Sequence, residues 1–497
     1  MMTMPRTGSL PDLPVTAQEV EAAAERLAPV LRRTPLEYSE RLSARAGVPV
    51  WLKREDLQSV RSYKLRGAHL FLDSLDPLSR EAGVVAASAG NHAQGVAQAC
   101  RALGIQGRIY VPSTTPRQKR ERITAIGGDL VHLILVGDTF DDAAEAATED
   151  AERTGATLVP PFDHPLIMAG QGTVALEAVD QLRSEHGREP GTVVLPVGGG
   201  GLIGGCGAWL RERLPSVRIV GVEPAGAASM AAAIRVGHPV TLQEMDRFVD
   251  GAAVRRVGAE PLRVVTAIEP ELVGVDEGAV CTEMLSLYQV DGIIAEPAGA
   301  LAATSVATGA IEHLGYRDQD SADQAAAARA VADQDSARRA LDEGPAGPDS
   351  PNLEPREQDS LDRDPREQVS PAAGDSSDGS GTGDIIVVIS GGNNDVSRYH
   401  EVIERSLVHE GFKHYFLVTF RQEPGALRRF LDRVLGPNDD IVLFDYIKRN
   451  NREQGPALVG LEIGDRADLE PLMSRMAASN MEIERVDPSD PIYRYLT

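Results

Sequence analysis

Short apolar runs alternate with segments of helical pattern along most of this 497-residue chain. The apolar runs cover residues 84–87, 108–111, 130–136, 192–197, 218–222 and 385–389, and the helical segments include 92–103, 116–126, 139–154 and 172–186. Continuous apolar strands that alternate with helices are typical of a mostly parallel sheet covered by crossover helices. The sequence therefore predicts an α/β core.

A low-complexity segment interrupts this alternation at residues 317–383. It holds 16 Asp and Glu against 7 Arg and contains no aromatic residue. Such a composition cannot bury enough apolar area to offset the entropy of ordering, so the segment is predicted to be disordered. We predict a disordered tail over residues 1–16, an α/β region over 17–409 with a small subdomain at about 65–160 inserted in a larger one, and a separate domain over 410–497.

The last part of the chain has a different order of elements. The pattern predicts a strand at 414–420, a helix at 424–435, strands at 440–448 and 456–463, a helix at 467–479 and a strand at 481–486. This βαββαβ order is the ferredoxin-like arrangement.

Charge and cysteine content exclude several classes of protein. A formal net charge of −24 disfavours binding to nucleic acid or an anionic membrane, because polyanion binding begins with Lys and Arg neutralising phosphates. Three widely spaced cysteines provide neither a disulfide framework nor a Cys-rich zinc site. No apolar run reaches the length of roughly 18 to 20 residues that a membrane span needs. We expect a cytoplasmic protein whose partners are small molecules or other chains.

A glycine-rich segment, LPVGGGGLIGG at residues 195–205, joins an apolar strand to a predicted helix. Glycines allow backbone N–H groups to close on an anion at a helix N-terminus, which predicts a phosphate site. Gly199, Gly201 and Gly204 also satisfy G-x-G-x-x-G, and Glu223 lies 19 residues further on, so an NAD-dependent oxidoreductase is a second interpretation. A flexible turn is the third.

Lys64 lies in the segment SYKLRGA, between an aromatic residue and a Gly-Ala pair. A lysine that forms a Schiff base needs a site where desolvation and nearby cations lower its pKa. A solvated surface lysine is an equally good interpretation of this segment alone. Together with a phosphate site, however, the lysine favours pyridoxal 5′-phosphate, which carries one aldehyde and one phosphate.

Four ordered motifs, SYKLRGA (62–68), SAGNHAQG (88–95), PVGGGGLIGG (196–205) and SGGNND (390–395), resemble the fold type II pyridoxal-phosphate enzymes, and specifically the threonine ammonia-lyase (threonine deaminase) family. The resemblance covers residues from about 20 to 316 and from 384 onward. It implies two mostly parallel α/β subdomains. It also implies that Lys64 bonds to the cofactor aldehyde, that Tyr63 lies beside the ring and that Asn91 binds the 3′-hydroxyl. Ser390 is implied to face the pyridine nitrogen, and the phosphate is implied to be bound by Gly198, Gly199, Gly200, Gly201 and Leu202. The substrate carboxylate is implied to be bound by Ser88, Ala89, Gly90 and His92.

Ser390 has a mechanistic consequence under this resemblance. A hydroxyl can donate to a neutral pyridine nitrogen, whereas a carboxylate would keep the nitrogen protonated and make the ring a stronger electron sink. The weaker sink suits β-elimination better than transamination, although an ordinary strand-end turn is the better interpretation of Ser390 and its two glycines taken alone. Some relatives bind a cation with a carboxylate shortly after the V-E-P motif, but residues 225–229 contain none, so no metal is expected. Glu296 and Gln171 also match family motifs, in either a structural or a catalytic role.

The implied reaction converts L-threonine to 2-oxobutanoate and ammonia, with L-serine as a slower substrate, and is the first step of isoleucine biosynthesis. The segment HYFLVTFRQEPGALRRFLDRVL resembles a single ACT-like regulatory domain, which implies isoleucine as an inhibitor and a homo-oligomer, dimer or tetramer. Three alternatives stay open: a catabolic threonine/serine dehydratase or serine racemase, a non-catalytic amino-acid sensor, and a C-terminal dimerisation module without a ligand.

Overall fold

The computed structural model describes residues 13–311, 383–421, 423–446, 454–479 and 481–487. The predicted disordered insert therefore lies outside the described residues, apart from Gly383. Residues 1–12 of the predicted disordered tail also lie outside the described residues. For residues 13–16, the end of that tail, the prediction of disorder is wrong. Val15 is fully buried, and the Thr16 hydroxyl accepts from the Glu19 amide in a capping box that begins the first helix.

The helices of the described residues are α1 (Ala17–Leu27), α2 (Glu40–Ala46), α3 (Lys64–Asp73), α4 (Pro77–Ala82), α5 (Asn91–Leu103), α6 (Arg117–Gly127), α7 (Phe140–Thr154), α8 (Pro165–His186), α9 (Gly201–Arg213), α10 (Ser229–Val236), α11 (Ala259–Ile268), α12 (Glu277–Gln289), α13 (Pro297–Ala307), α14 (Tyr399–His409), α15 (Ala426–Arg433) and α16 (Leu469–Ala478). The strands are β1 (Leu36–Tyr38), β2 (Val50–Arg54), β3 (Val84–Ala87), β4 (Gly107–Val111), β5 (Val131–Leu135), β6 (Thr157–Leu158), β7 (Pro190–Pro196), β8 (Arg218–Pro224), β9 (Glu271–Val275), β10 (Asp384–Ile389), β11 (Lys413–Arg421), β12 (Asp440–Tyr446), β13 (Gln454–Glu462) and β14 (Glu482–Arg485).

The largest sheet has six strands in the order β1-β2-β10-β7-β8-β9. Only β1 is antiparallel to its neighbour, and β10 pairs with β2 on one side and β7 on the other. Every residue of β10 is buried, as a central parallel strand requires. Helices α1, α8 and α9 pack together beside this sheet, and their apolar faces form one continuous core.

A second sheet has four parallel strands in the order β5-β4-β3-β6. Its core is formed by the apolar residues of β3 and β4 together with those of α3 and α5. The predicted small subdomain contains all four strands, and its boundaries at about 65 and 160 stay a prediction.

The C-terminal elements β11-α15-β12-β13-α16-β14 confirm the predicted βαββαβ order. Their sheet is antiparallel in the order β12-β13-β11-β14. Phe416, Phe420 and Phe430 are buried between this sheet and the two helices. The predicted α/β class with a ferredoxin-like C-terminal domain is therefore confirmed.

One predicted helix begins earlier than the sequence indicated. Helix α8 starts at Pro165 and not at residue 172, with the His164 ring accepting from the Leu166 amide, 3.1 Å away. Proline is well suited to a first helical turn. Of the helices that the structure describes, none combines the length and the apolarity that a membrane crossing requires.

Candidate active site

The predicted motifs meet at the carboxyl ends of two neighbouring strands. The glycine loop follows β7, and Ser390 directly follows β10, which is paired with β7 in parallel. In open parallel sheets, ligands bind outside the carboxyl ends of the strands. The topology therefore brings together two motifs that lie about 190 residues apart in the sequence.

The glycine loop presents a set of free backbone donors. Within the described part of the chain, the amides of residues 198–202 donate no hydrogen bond to a protein acceptor, and Gly200 caps α9 with φ 92°. A Cβ on Gly199 would lie 2.3 Å from the Phe162 ring, and one on Gly200 would lie 2.5 Å from the Met230 methyl group. Side chains are therefore excluded here, and the free amides at the helix N-terminus form a binding site for an anion.

Lys64 is the first residue of α3, and its Nζ donates to the Pro161 carbonyl oxygen over 3.1 Å. Burial lowers the pKa of the Lys64 amine to about 8, against the attraction of the Glu296 carboxylate. Pro161 and Phe162 are adjacent, so the carbonyl of one holds the lysine while the ring of the other lies against the glycine loop. Residues 161–162 thus contact both Lys64 and the anion site. The sequence did not single out this segment.

Tyr63 and Ser390 lie beside the lysine. The Tyr63 ring centroid is 5.4 Å from Lys64 Nζ, and the Tyr63 amide donates to the Ser390 carbonyl oxygen over 3.2 Å. The buried Ser390 hydroxyl donates to the Ala298 carbonyl oxygen over 3.1 Å. The structure therefore brings Tyr63, Lys64 and Ser390 together.

Asn91 belongs to a polar network that was only partly foreseen. Its Nδ2 donates to Glu296 Oε1 over 2.5 Å, and its Oδ1 accepts from Asn393 Nδ2 over 2.7 Å. Burial, reinforced by the charge of Asp250, raises the pKa of Glu296 to about 7. Asn393 Oδ1 is buried and has no partner among the described residues. The motif SGGNND contained this signal, because Asn393 is three residues from Ser390.

The loop from Ser88 to His92 follows β3 and leads into α5. The Ser88 hydroxyl accepts from the Gly90 amide over 3.2 Å, and Ala89 packs against the core of the small sheet. The His92 ring is buried and donates from Nε2 to the Val159 carbonyl oxygen over 3.0 Å. Burial and the nearby Lys64 charge lower the pKa of His92 to about 3, so its ring is neutral. The role of this loop in substrate binding stays a prediction.

Glu223, the residue on which both the NAD interpretation and the question of a metal depended, already has partners. Its carboxylate accepts from the amides of Met230 and Ala231 over 2.7 and 2.9 Å, at the start of α10. Burial raises its pKa to about 7, against these two hydrogen bonds. Over the described ranges, no three His, Cys, Asp or Glu side chains group as metal ligands would.

The residues at the strand ends fit pyridoxal 5′-phosphate. The free amides of the glycine loop suit a phosphate, and Lys64 offers a half-buried amine with a lowered pKa for the aldehyde. This fold and this site define a fold type II pyridoxal-phosphate enzyme, and the family model described as "Pyridoxal-phosphate dependent enzyme" matches residues 27–319. A second model, the "C-terminal regulatory domain of Threonine dehydratase", matches residues 404–496. The chain belongs to the biosynthetic L-threonine dehydratase family.

This membership rests on similarity over nearly the whole chain. The chain is 50% identical over 490 residues to the L-threonine dehydratase biosynthetic IlvA of Mycobacterium bovis, covering 98% of this chain and 97% of that protein. Identity to the Bacillus subtilis protein of the same name is 39% over 482 residues, covering 97% of both chains. The processed form of threonine deaminase isoform 2 from Solanum lycopersicum has a similar structure, with TM-score 0.62 and 30% identity over 82% of this chain and 99% of that chain.

These similarities favour a dehydratase over the other interpretations of the sequence. Maize serine racemase is also similar in structure, with TM-score 0.60 and 26% identity over 80% of this chain and 99% of that chain. The higher identity and the regulatory domain both favour the biosynthetic dehydratase. The NAD-dependent oxidoreductase and the non-catalytic sensor are disfavoured, because the pyridoxal-phosphate family model covers the motifs around both Lys64 and the glycine loop.

Proposed function

We propose that this protein dehydrates and deaminates L-threonine to 2-oxobutanoate and ammonia in the cytoplasm, as the first step of isoleucine biosynthesis, with L-serine as a slower substrate. The observation that carries the proposal is the position of Lys64: its half-buried amine bonds to Pro161, and the next residue, Phe162, lies against the glycine loop that forms the anion site. The names of the relatives, which are L-threonine dehydratases, support the choice of substrate.

Lys64 serves as the general base in this proposal. Bound pyridoxal 5′-phosphate would supply an electron sink conjugated to the substrate Cα. The Lys64 amine, with its pKa near 8, takes the proton from Cα, because a base works best when its pKa is near the working pH. The β-hydroxyl leaves as water, and the released enamine tautomerises and is hydrolysed to the 2-oxo acid and ammonia.

The surrounding residues bind and orient. The amides of residues 198–202 would hold the phosphate, and Asn91 would hold the ring hydroxyl while Glu296 fixes the Asn91 amide. On cofactor binding, the Ser390 hydroxyl would release the Ala298 carbonyl oxygen and donate to the ring nitrogen instead, and a donor without charge would leave that nitrogen unprotonated. The loop of Ser88, Ala89, Gly90 and His92 receives the substrate carboxylate through its backbone, since the His92 ring is turned towards Val159.

The C-terminal domain, we propose, binds isoleucine and inhibits the reaction. The match to a regulatory-domain model over residues 404–496 supports a regulatory role, and an end product of the pathway is the effector that such a role requires. An effector acts only if it binds one global state better than another, and a tenfold effect needs about 1.4 kcal/mol of difference.

One assay tests both proposals. The holoenzyme should form 2-oxobutanoate from L-threonine faster than it forms pyruvate from L-serine, and isoleucine should slow the first reaction in a saturable manner. Racemisation of serine with no 2-oxo acid formed would contradict the dehydratase. Equal rates with and without isoleucine, at concentrations that saturate related amino-acid sites, would contradict the regulatory role but leave the dehydratase intact.

We also propose that the chain forms a homo-oligomer. Tyr288, Val290 and Val396 are 50%, 68% and 73% exposed, and the Tyr288 and Tyr399 rings lie 6.1 Å apart, so exposed apolar side chains lie at the end of α12 and just before α14, two helices that pack together. Contiguous apolar patches on a protein surface mark interaction sites. Sedimentation velocity should give a mass of two or four chains of 53.1 kDa, and a single-chain mass at micromolar concentration would contradict the proposal.

A further inference from the structure

A continuous series of contacts joins the C-terminal sheet to the cofactor site through residues 246–252, here called the bridging segment. Three of its side chains are buried, with Phe248 3% exposed, Val249 fully buried and Ala252 3% exposed. The segment has no regular secondary structure and lies between α10 and α11. Its contacts at the two ends belong to different parts of the molecule.

At one end, two arginines hold the Phe248 ring. The guanidinium carbons of Arg398 and Arg405 lie 4.7 and 4.6 Å from the ring centroid. Arg398 also donates from Nη2 to the Phe248 carbonyl oxygen over 2.9 Å, and Arg405 donates from Nη1 to Asp246 Oδ2 over 3.2 Å. Stacked cations and charge-assisted hydrogen bonds therefore fix the bridging segment to α14 and the turn that precedes it.

Helix α14 is fixed in turn to the regulatory sheet. Glu404, next to Arg405, is buried and accepts from Lys413 Nζ and from the Tyr415 hydroxyl, both on β11. Consecutive residues of α14 thus contact the bridging segment and the first strand of the regulatory domain. A shift of β11 that keeps these contacts, of which those of Glu404 are buried, must therefore also move Phe248.

At the other end, the bridging segment forms a wall of the cofactor site. A Cβ on Gly198 would lie 2.9 Å from the Ala252 Cα and carbonyl oxygen, so Ala252 packs directly on the glycine loop. Asp250 accepts from Lys119 Nζ over 2.8 Å, and Lys119 lies on α6 beside the small sheet. The same segment therefore contacts the phosphate site and the small sheet's helix layer.

We propose that Phe248 is a positioning residue that transmits the state of the regulatory domain to the glycine loop and to Asp250. The proposal rests on isoleucine binding at the C-terminal domain. With the effector bound, β11 and α14 move the clamped ring, and Ala252 shifts against Gly198. Without the ring, α14 moves and the bridging segment stays where it is.

The test compares the wild-type holoenzyme with Phe248→Leu, which removes the ring but keeps an apolar side chain. Phe140→Leu makes the same change at a residue that is 55% exposed on α7, and serves as the control. Three quantities are measured: isoleucine affinity by calorimetry without substrate, the change in cofactor absorbance that isoleucine causes, and inhibition of 2-oxobutanoate formation. We expect Phe248→Leu to bind isoleucine as the wild type does. Its spectral response to isoleucine and its inhibition by isoleucine should both be at least about 5-fold weaker than in the wild type, since allosteric couplings are typically 5- to 150-fold.

A second variant, Arg398→Gln, keeps the ring and removes one of its two flanking cations, and it should weaken the coupling in the same direction. If Phe248→Leu and Arg398→Gln both respond to isoleucine as Phe140→Leu does, the role of Phe248 is wrong. If the wild-type chain binds no isoleucine, the regulatory proposal itself fails, and this inference fails with it. The calorimetric measurement distinguishes the two failures.

Discussion

Replacing Lys64 with alanine should lower the rate of 2-oxobutanoate formation by at least about 10²- to 10⁴-fold, the contribution typical of a positioned general base. Desolvation lowers the pKa of the Lys64 amine to about 8, so at pH 7 about a tenth of it is already neutral. The variant loses both the base and the covalent attachment of the cofactor.

The measurement combines kinetics with mass spectrometry. After borohydride treatment the wild-type chain should carry the mass of the cofactor on the peptide that contains Lys64, and the Lys64→Ala chain should carry none. Lys64→Arg is the matched control, because it keeps the positive charge but offers no amine for the aldehyde, and it should be equally inactive. Deamination of threonine by Lys64→Ala at the wild-type rate would show that another group performs the chemistry.

The sequence predicted the strands of the parallel sheets well, because each is a continuous apolar run bounded by a helical segment. It predicted the start of α8 poorly. The predicted helix began at Gly172 and left out Gly170. A Cβ at Gly170 would lie 2.6 Å from the Gly67 Cα, and one at Gly172 would lie 2.8 Å from the Gly205 carbonyl oxygen. Glycine is needed there for α3 and α9 to approach α8, and helix propensity contains no information about such neighbours.

The site was predictable to the extent that its groups lie in short motifs. Lys64, the glycine loop, Asn91 and Ser390 each belong to such a motif. Phe162 could not be found in this way, because its ring acquires a role only when the fold brings it against Gly199. The bridging segment escaped for the same reason, since the partners of Phe248 are arginines about 150 residues further along the chain.

Buried charges are a further feature that the sequence conceals. Arg66 is 1% exposed and donates to both oxygens of Glu55, over 2.6 and 2.8 Å. Lys53 and Glu177 complete a cluster of two positive and two negative side chains, in which Lys53 Nζ lies 2.5 Å from Glu177 Oε1. In the sequence these residues are indistinguishable from a solvated charged face. Arg66 belongs to the first turn of α3, two residues after Lys64, and links the cluster to that turn.

Arg66→Met should therefore destabilise the catalytic domain by about 3–5 kcal/mol, because removing one member of a buried ion pair leaves an uncompensated charge out of water. Methionine keeps an unbranched apolar side chain in place of the aliphatic part of arginine, so the loss of charge dominates over the loss of volume. Arg26→Met breaks an arginine–carboxylate pair of the same kind, Arg26 with Asp73 at 2.5 Å, whose side chains are 43% and 34% exposed. That control should cost at most about 1 kcal/mol, the upper value for solvated pairs.

Urea titration followed by the visible absorbance of the cofactor measures the free energy of unfolding of the catalytic domain in both variants. The double variant Arg66→Met/Glu55→Gln should recover part of the lost stability, because it removes the unpaired carboxylate that the single substitution leaves behind. Equal stabilities for Arg66→Met and Arg26→Met would mean that water reaches Glu55 in the native protein. The cluster would then act as a solvated pair, and the position of α3, with Lys64 at its first turn, would depend on apolar packing alone.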